Sequence, residues 1–335
     1  MKKKLLFFAK LFAAFLPAIL LIAFTALCPM CYQDGEYPAW SYTRDVQRGK
    51  LDPGGDNGER IVILGDSAAM ADLVPKLSGR NVVNLAVGGA TPVEMYYTFK
   101  DYLEVYGSPD MVIIMFSPFH YSYMDNFWTR SIYFKHFSIA EAFKVYYQGK
   151  KTGSDTIDDG KHNITDVISC YCSLPQSYLP ALLNSRFNNR YSENIGKYRE
   201  ISSQKGHGLF GKMDGCDYLN YESGYSSMKM DGDHKIIDLY MRKILELCRK
   251  NSVNTVLGQC PMNESSYSEL NPDYISQYTE YIEDLSKIYP QGIYELEIPK
   301  YDNMYFGDAS HLNEKGAEKF SREFFAKYIP DPAFE

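Results

Sequence analysis

The chain has 335 residues, 45% hydrophobic and 23% charged, with a formal net charge of -7. That length and composition suit one large globular domain or two small ones, and exclude a disordered or collagen-like chain. The acidic balance, with no dense basic stripe after the first residues, excludes non-specific nucleic-acid binding, which needs clustered Lys and Arg against phosphates.

The amino terminus reads "MKKK" and then an apolar run in which only Lys10 intervenes before Cys28. From Leu11 to Leu27 the segment is uncharged and, at about 17 residues, long enough to cross a bilayer as a helix. Residues 1–28 are therefore expected to be a transmembrane signal anchor. Lys2, Lys3 and Lys4 favour the cytoplasmic side, which places the rest of a single-pass protein outside the cell membrane. A cleaved signal peptide shares the basic start and the apolar segment and stands as the alternative. Cys28 is a poor lipidation site, because Leu27 precedes it where a small residue is wanted. Seven cysteines in a chain of this size do not make a disulfide scaffold, although one bridge is compatible with the count. The spacings of Cys28 with Cys31 and Cys170 with Cys172 do not suit a tetrahedral metal site, so neither metal nor cofactor is expected.

Residues 29–59 are rich in Tyr, Asp and Gly, carry the turn cluster "LDPGGDNGE", and read as a spacer. The domain expected over 60–330 then opens with "RIVILGDS" (60–67). Two more short apolar runs follow, "NVVNLAVGG" (81–89) and "DMVIIMFS" (110–117), with helical stretches at 68–77 and 92–106 between them. Strand, helix, strand, helix, strand predicts a parallel sheet covered on both faces. Further strands are expected at 253–260 and 292–298, with helices near 235–250 and 313–328. The stretch between, about 121–232, is Tyr- and Ser-rich, too long for a simple loop and without strand periodicity. It is expected to be a mainly helical insertion over the sheet edge, at the level where insertions often build a substrate pocket.

A serine at the carboxyl end of a strand stands where open α/β sheets place their chemistry, although Ser and Asp there also serve as helix caps. To act as a nucleophile Ser67 needs a base, and the base needs a third group to hold its tautomer. Of six histidines, only His311 has a compact acid-base setting, "YFGDASHLNEKGAEKF", with Asp308 three residues before it. That separation lets a carboxylate meet one imidazole nitrogen while the other faces outward.

In order and spacing, "GDS" after the first strand, "NLAVGGATP" after the second, "PDMVII" as the third and "GDASHLNEKGA" before the last helix resemble the SGNH or GDSL hydrolase superfamily. The resemblance covers a little under half the chain. It implies a three-layer αβα sandwich with a five-stranded parallel sheet, Ser67 as nucleophile, Asp308 and His311 as orienting acid and base, and the backbone amides of Ser67 and Gly89 as oxyanion donors. Gly89 is aligned through Asn84, Val87 and Thr91.

At the third strand the chain departs from the family pattern. A glycine, a variable residue, Asn and Asp usually follow it, and the Asn side chain is a third oxyanion donor. Here Ser117, Pro118, Phe119 and His120 occupy those places, and Phe119 cannot donate a hydrogen bond. Either Ser117 or His120 substitutes, as oxyanion donor or substrate contact, or the enzyme is not an ordinary hydrolase. Together with the anchor, this resembles the membrane-anchored SGNH-like proteins that work beside membrane-bound O-acyltransferases, such as the teichoic-acid D-alanine transfer protein and exopolysaccharide O-acetylation proteins. The implied activity is acyl transfer through an acyl-Ser67 intermediate to a sugar or polyol hydroxyl of a polysaccharide or teichoic-acid-like polymer. An anchored carbohydrate or lipid esterase uses the same groups with water, and a non-catalytic binding or assembly protein could keep the fold. Tyr121, Tyr123, Phe127 and Trp128 are candidates for stacking on sugar rings.

Overall fold

A computed structural model describes residues 2–52, 59–124, 126–185, 189–218 and 224–329. The chain opens with α1 (Lys2–Leu27) and α2 (Tyr37–Gln47), then alternates β1 (Arg60–Gly65), α3 (Ser67–Asp72), β2 (Asn81–Asn84), α4 (Pro92–Tyr106) and β3 (Met111–Phe116). Four helices follow: α5 (Ile139–Thr152), α6 (Ile164–Tyr171), α7 (Pro175–Asn184) and α8 (Arg190–Ser203). After them come α9 (His234–Lys250), β4 (Asn254–Gln259), β5 (Met262–Asn263), α10 (Glu264–Ser268) and α11 (Pro272–Ile288). The chain closes with β6 (Gly292–Tyr294), β7 (Lys300–Tyr301) and α12 (Glu314–Tyr328).

The fold is α/β, built on a five-stranded sheet in the order β2-β1-β3-β4-β6 with every pairing parallel. Register pairs Ile61 with both Val82 and Met111, and Phe116 with Gln259. Ile61, Val62, Ile63 and Leu64 are fully buried, as are Val112, Ile113 and Ile114, which explains why these strands are continuous apolar runs and not alternating ones. Burial of each such side chain contributes about 1.5–3 kcal/mol. From β1 the chain moves to one side for β2 and then to the other for β3, β4 and β6, so the direction of strand addition reverses between β1 and β3. At such a reversal a crevice opens beyond the carboxyl ends of the strands.

Several elements are shorter than the sequence pattern predicts. The second strand ends at Asn84, whose side chain donates to the carbonyls of Ala69 and Leu73 and accepts from the Ala86 N–H, turning the chain into a loop. Helix α3 stops at Asp72, because Pro75 disfavours helical backbone at Val74 and a short 3-10 turn takes over at Pro75–Ser78. The fifth strand of the sheet covers only Gly292–Tyr294.

The stretch 29–59 differs from the spacer expected. It contributes α2, whose Trp40, Tyr42 and Val46 are buried in the main core, and α2 packs against α4 and α8. Most of the turn cluster, residues 53–58, lies outside the described residues. The insertion supplies α5 to α8 and builds a second core, in which Phe127, Ile132 and Val145 meet Val93 and Tyr97 of α4 and Ile236 and Tyr240 of α9. Seven free cysteines are found, so no bridge forms among the described residues. Helix α1 is long and apolar enough to cross a membrane over Lys4–Leu27, about 36 Å at 1.5 Å per residue against a hydrocarbon core of about 30 Å. Its carboxyl end packs on α7, where Leu21 and Phe24 join Tyr32, Tyr178 and Leu182.

Candidate active site

At the end of β1, Gly65 lies so close to β3 that a Cβ there would stand 2.0 Å from the Met115 carbonyl oxygen, so only glycine permits the turn. Asp66 follows with no solvent exposure. Its Oδ1 caps α3 by accepting from the N–H groups of Ala68 and Ala69 at 2.9 and 3.3 Å. Its Oδ2 accepts from the Ser117 N–H, the Ser117 hydroxyl and His120 Nδ1 at 2.9, 2.6 and 2.7 Å. Burial pushes the Asp66 carboxyl up, but the bonds and charge of His120 and the bonds from Ser117 outweigh it and hold the group below the usual range. Of Ser117 and His120, the possible substrate contacts or substitute oxyanion donors, the Ser117 hydroxyl and the His120 Nδ1 bond Asp66. Phe119 stacks on Tyr123 at 4.8 Å.

Ser67 is the first residue of α3 and is half-buried. The Asp66 carboxylate satisfies the next two amides, so the Ser67 N–H makes no hydrogen bond among the described residues, as the first amides of a helix require. Gly89 has φ +72°, a left-handed backbone that favours glycine, and a Cβ there would fall 2.0 Å from Asn126 Nδ2. Asn126 is held in that orientation by Arg130, whose guanidinium donates to Asn126 Oδ1 at 2.5 Å and pairs with Glu36 at 2.8 Å. The free carboxylate oxygen of Glu36 is buried against Gly88, which has no Cβ to obstruct it. Burial raises the Glu36 carboxyl, while Arg130 and His311 act in the opposite direction. The loop and the insertion are tied again at Glu94, which accepts from Thr91 N–H and hydroxyl and from the Ser131 hydroxyl at 2.9, 2.7 and 2.6 Å.

The far end of the chain brings Asp308 and His311. The Asp308 carboxylate accepts the N–H groups of Ser310 and His311 at 2.8 Å each and lies 2.9 Å from His311 Nδ1 through both oxygens. Burial raises the Asp308 carboxyl, yet these bonds and the imidazole charge prevail and lower it. With Nδ1 held, His311 Nε2 is buried and has no partner among the described residues, so Ser67 and His311 are not hydrogen-bonded to each other here. Phe210 of the insertion stacks on the imidazole at 4.7 Å and 20°. The backbones of Gly211 and Gly307 touch so closely that a Cβ on either would collide, and Met213 N–H donates to the Gly307 carbonyl at 3.0 Å. The His311 loop reaches α3 through Asp72, whose Oδ1 accepts the Leu312 N–H at 3.0 Å.

The structure therefore ties the helix that begins with Ser67, through Asp72, to the loop of Asp308 and His311, and sets Gly89 against Asn126; Glu36, Asp72, Asn126, Arg130 and Phe210 are neighbours that sequence reasoning missed. The one local signal was the Thr91-x-x-Glu94 capping box, which marks the start of α4. Of the aromatic residues expected to stack on sugar, Tyr121, Phe127 and Trp128 are core residues. Tyr121 is fully buried against Phe116 at 4.2 Å, Phe127 lies in the second core, and Trp128 stacks on His162 at 4.8 Å. Tyr123 alone is half-buried. Comparison of the chain with known protein families and with curated proteins gives no match.

Proposed function

We propose that this chain is a serine-dependent O-acyltransferase of the cell surface, folded as an SGNH-type αβα sandwich, and that it works outside the membrane that α1 spans. The observation that carries the reading is the buried Nε2 of His311, which has no partner among the described residues. Asp308 holds the other ring nitrogen, and the loop is pinned by Asp72 to the helix that begins with Ser67. An imidazole oriented by a carboxylate with its second nitrogen left open is what a general base for a nearby hydroxyl requires.

In the first half-reaction Ser67 Oγ attacks an acyl carbonyl and passes its proton to His311 Nε2. The carbonyl oxygen gains charge facing the amides of Ser67 and Gly89 and the Asn126 side chain. Collapse expels the donor alcohol or thiol, which takes the proton from His311, and leaves acyl-Ser67. In the second half an acceptor hydroxyl gives its proton to His311 Nε2, attacks the acyl carbon and leaves as the ester while Ser67 regains its proton. A membrane-bound O-acyltransferase supplies the acyl group, and a polysaccharide or teichoic-acid-like polymer accepts it.

Asn126 replaces the donor lost at Phe119, supplied from the insertion instead of from the turn after β3. With water as acceptor the same groups would hydrolyse an ester, so the test is made in the cell. Replacing Ser67 by Ala and measuring ester-linked acyl groups on surface polymers should show their loss. A gain would identify an esterase, and no change would sink both readings.

A further inference from the structure

A cavity of about 480 Å³ lies beside the foot of α1, and neither Ser67 nor His311 lines it. Thr25, Ala26 and Pro29 line it from the end of the apolar helix, and Arg44, Arg48 and Lys135 line it from α2 and the insertion. No Asp or Glu lines it among the described residues. Arg44 donates to the Phe134 carbonyl and the Tyr37 hydroxyl at 2.6 and 2.7 Å, both neutral acceptors. Lys135 donates to the Ser173 hydroxyl at 2.5 Å and lies 5.5 Å from the centre of the Tyr178 ring. Arg48 makes no side-chain hydrogen bond or ion pair among the described residues. Lys50, the fourth cation of the lining, pairs with Asp45 at 3.3 Å.

Three cations sharing one recess without a carboxylate repel one another, and an anion relieves that repulsion. Burial lowers both the Arg48 guanidinium and the Lys135 ammonium and Arg44 adds to each, while Asp101 and Asp45, outside the lining, act on Arg48 in the opposite direction. Guanidinium groups suit phosphate oxygens, which they bind through paired N–H donors. The neighbouring wall is apolar and aromatic, with Tyr32, Phe137 and Ile139 in the lining, which suits the glycerol and upper acyl portion of a lipid.

We propose that this cavity binds a phosphate-class anion, and that its occupant is the headgroup of an anionic phospholipid at the membrane surface. The anion site follows from the cations and the cavity; the lipid source rests on the reading of α1 as a membrane helix. A bound headgroup would fix the height and tilt of the folded domain above the bilayer.

The test is the thermal midpoint of the full-length chain in a neutral detergent, with dihexanoyl phosphatidylglycerol, dihexanoyl phosphatidylcholine or inorganic phosphate added. Phosphatidylglycerol should raise the midpoint by about 2–4 °C, and phosphatidylcholine by much less. The Arg48→Gln/Lys135→Gln double variant should lose that difference; Arg48 is exposed and Lys135 half-buried, and Arg48→Gln alone should lower the response. A midpoint that ignores both anions, or a shift that survives in the double variant, overturns the site. A response to inorganic phosphate equal to that for phosphatidylglycerol overturns the lipid headgroup as occupant. Whether α1 stays with membranes under alkaline carbonate extraction tests the anchor separately, and the Ser67→Ala polymer assay tests acyl transfer separately.

Discussion

Asp72, at the last position of α3, accepts the backbone N–H of Leu312, the residue after His311, at 3.0 Å across 240 positions of sequence. The contact joins the helix that starts at Ser67 to the loop that carries the imidazole. Asp72 is fully buried, its Oδ2 has no partner among the described residues, and burial pushes its carboxyl well above the ordinary range. The folded protein therefore keeps a proton on Asp72 that the unfolded chain releases above its ordinary value of about 3.9. Stability from this site is greatest below that value and declines as pH rises towards the folded one.

Asp72→Asn keeps the acceptor for Leu312 and removes that dependence. The variant should be at least as stable as the parent at pH 8, read as the urea midpoint, and should keep activity within a few-fold. Asp72→Leu removes the acceptor and should cost activity by tenfold or more at a folded midpoint. An Asp72→Asn variant that unfolds at pH 8 would show that the carboxyl is ionised and paired.

Ester formation should depend on Asp308 and His311 as steeply as on Ser67. His311→Ala should abolish acyl-Ser67 formation. Asp308→Asn should lower the rate by about 10⁴-fold, because the wrong tautomer is then held at Nδ1. Mass spectrometry of the intact chain with an activated acyl donor reads both, and full labelling of His311→Ala would remove the imidazole from the mechanism.

Asn126→Ala should lower the rate of acylation by about 100- to 1,000-fold with little change in the thermal midpoint, the cost expected for one oxyanion donor. Arg130→Gln should give a smaller loss, since it acts on Asn126 and Glu36 through their bonds and not on the acyl group. The same single-turnover measurement separates them, and an Asn126→Ala enzyme that acylates normally would assign the third donor elsewhere.

His136 predicts the acid limit of the fold. It is buried, its Nδ1 has no partner among the described residues, its Nε2 lies 3.1 Å from the Thr98 hydroxyl, and burial lowers its pKa to about 4. The folded state thus refuses a proton that the unfolded chain takes below about 6.5. Stability should fall as pH drops from about 6.5 towards 4, by at most about 3 kcal/mol. His136→Gln should flatten that part of the urea-midpoint profile; an unchanged slope would place the acid sensitivity at another group.

Local patterns in the chain determined a good deal. Continuous apolar runs rich in Val and Ile mark β1, β2 and β3 because a strand buried on both faces cannot alternate. The apolar start marks α1 because such a run is long enough for a bilayer, and a serine after "GD" and an Asp-x-x-His before the last helix mark Ser67, Asp308 and His311 as candidates, because those residue types can move a proton together. What only the tertiary structure decided are the contacts between distant segments. The Tyr-rich stretch around α2 looks like a linker by composition, yet Trp40 and Tyr42 close the core, since aromatic rings bury wherever a partner surface lies beside them. Asn126 was hidden inside an aromatic run, and becomes a candidate donor only because Arg130 and Glu36 turn its amide towards Gly89. Asp72 was one more acid on a helix until the fold brought Leu312 to it. A single sequence encodes such relations in the free energy of the whole packed chain, and no local spacing carries them.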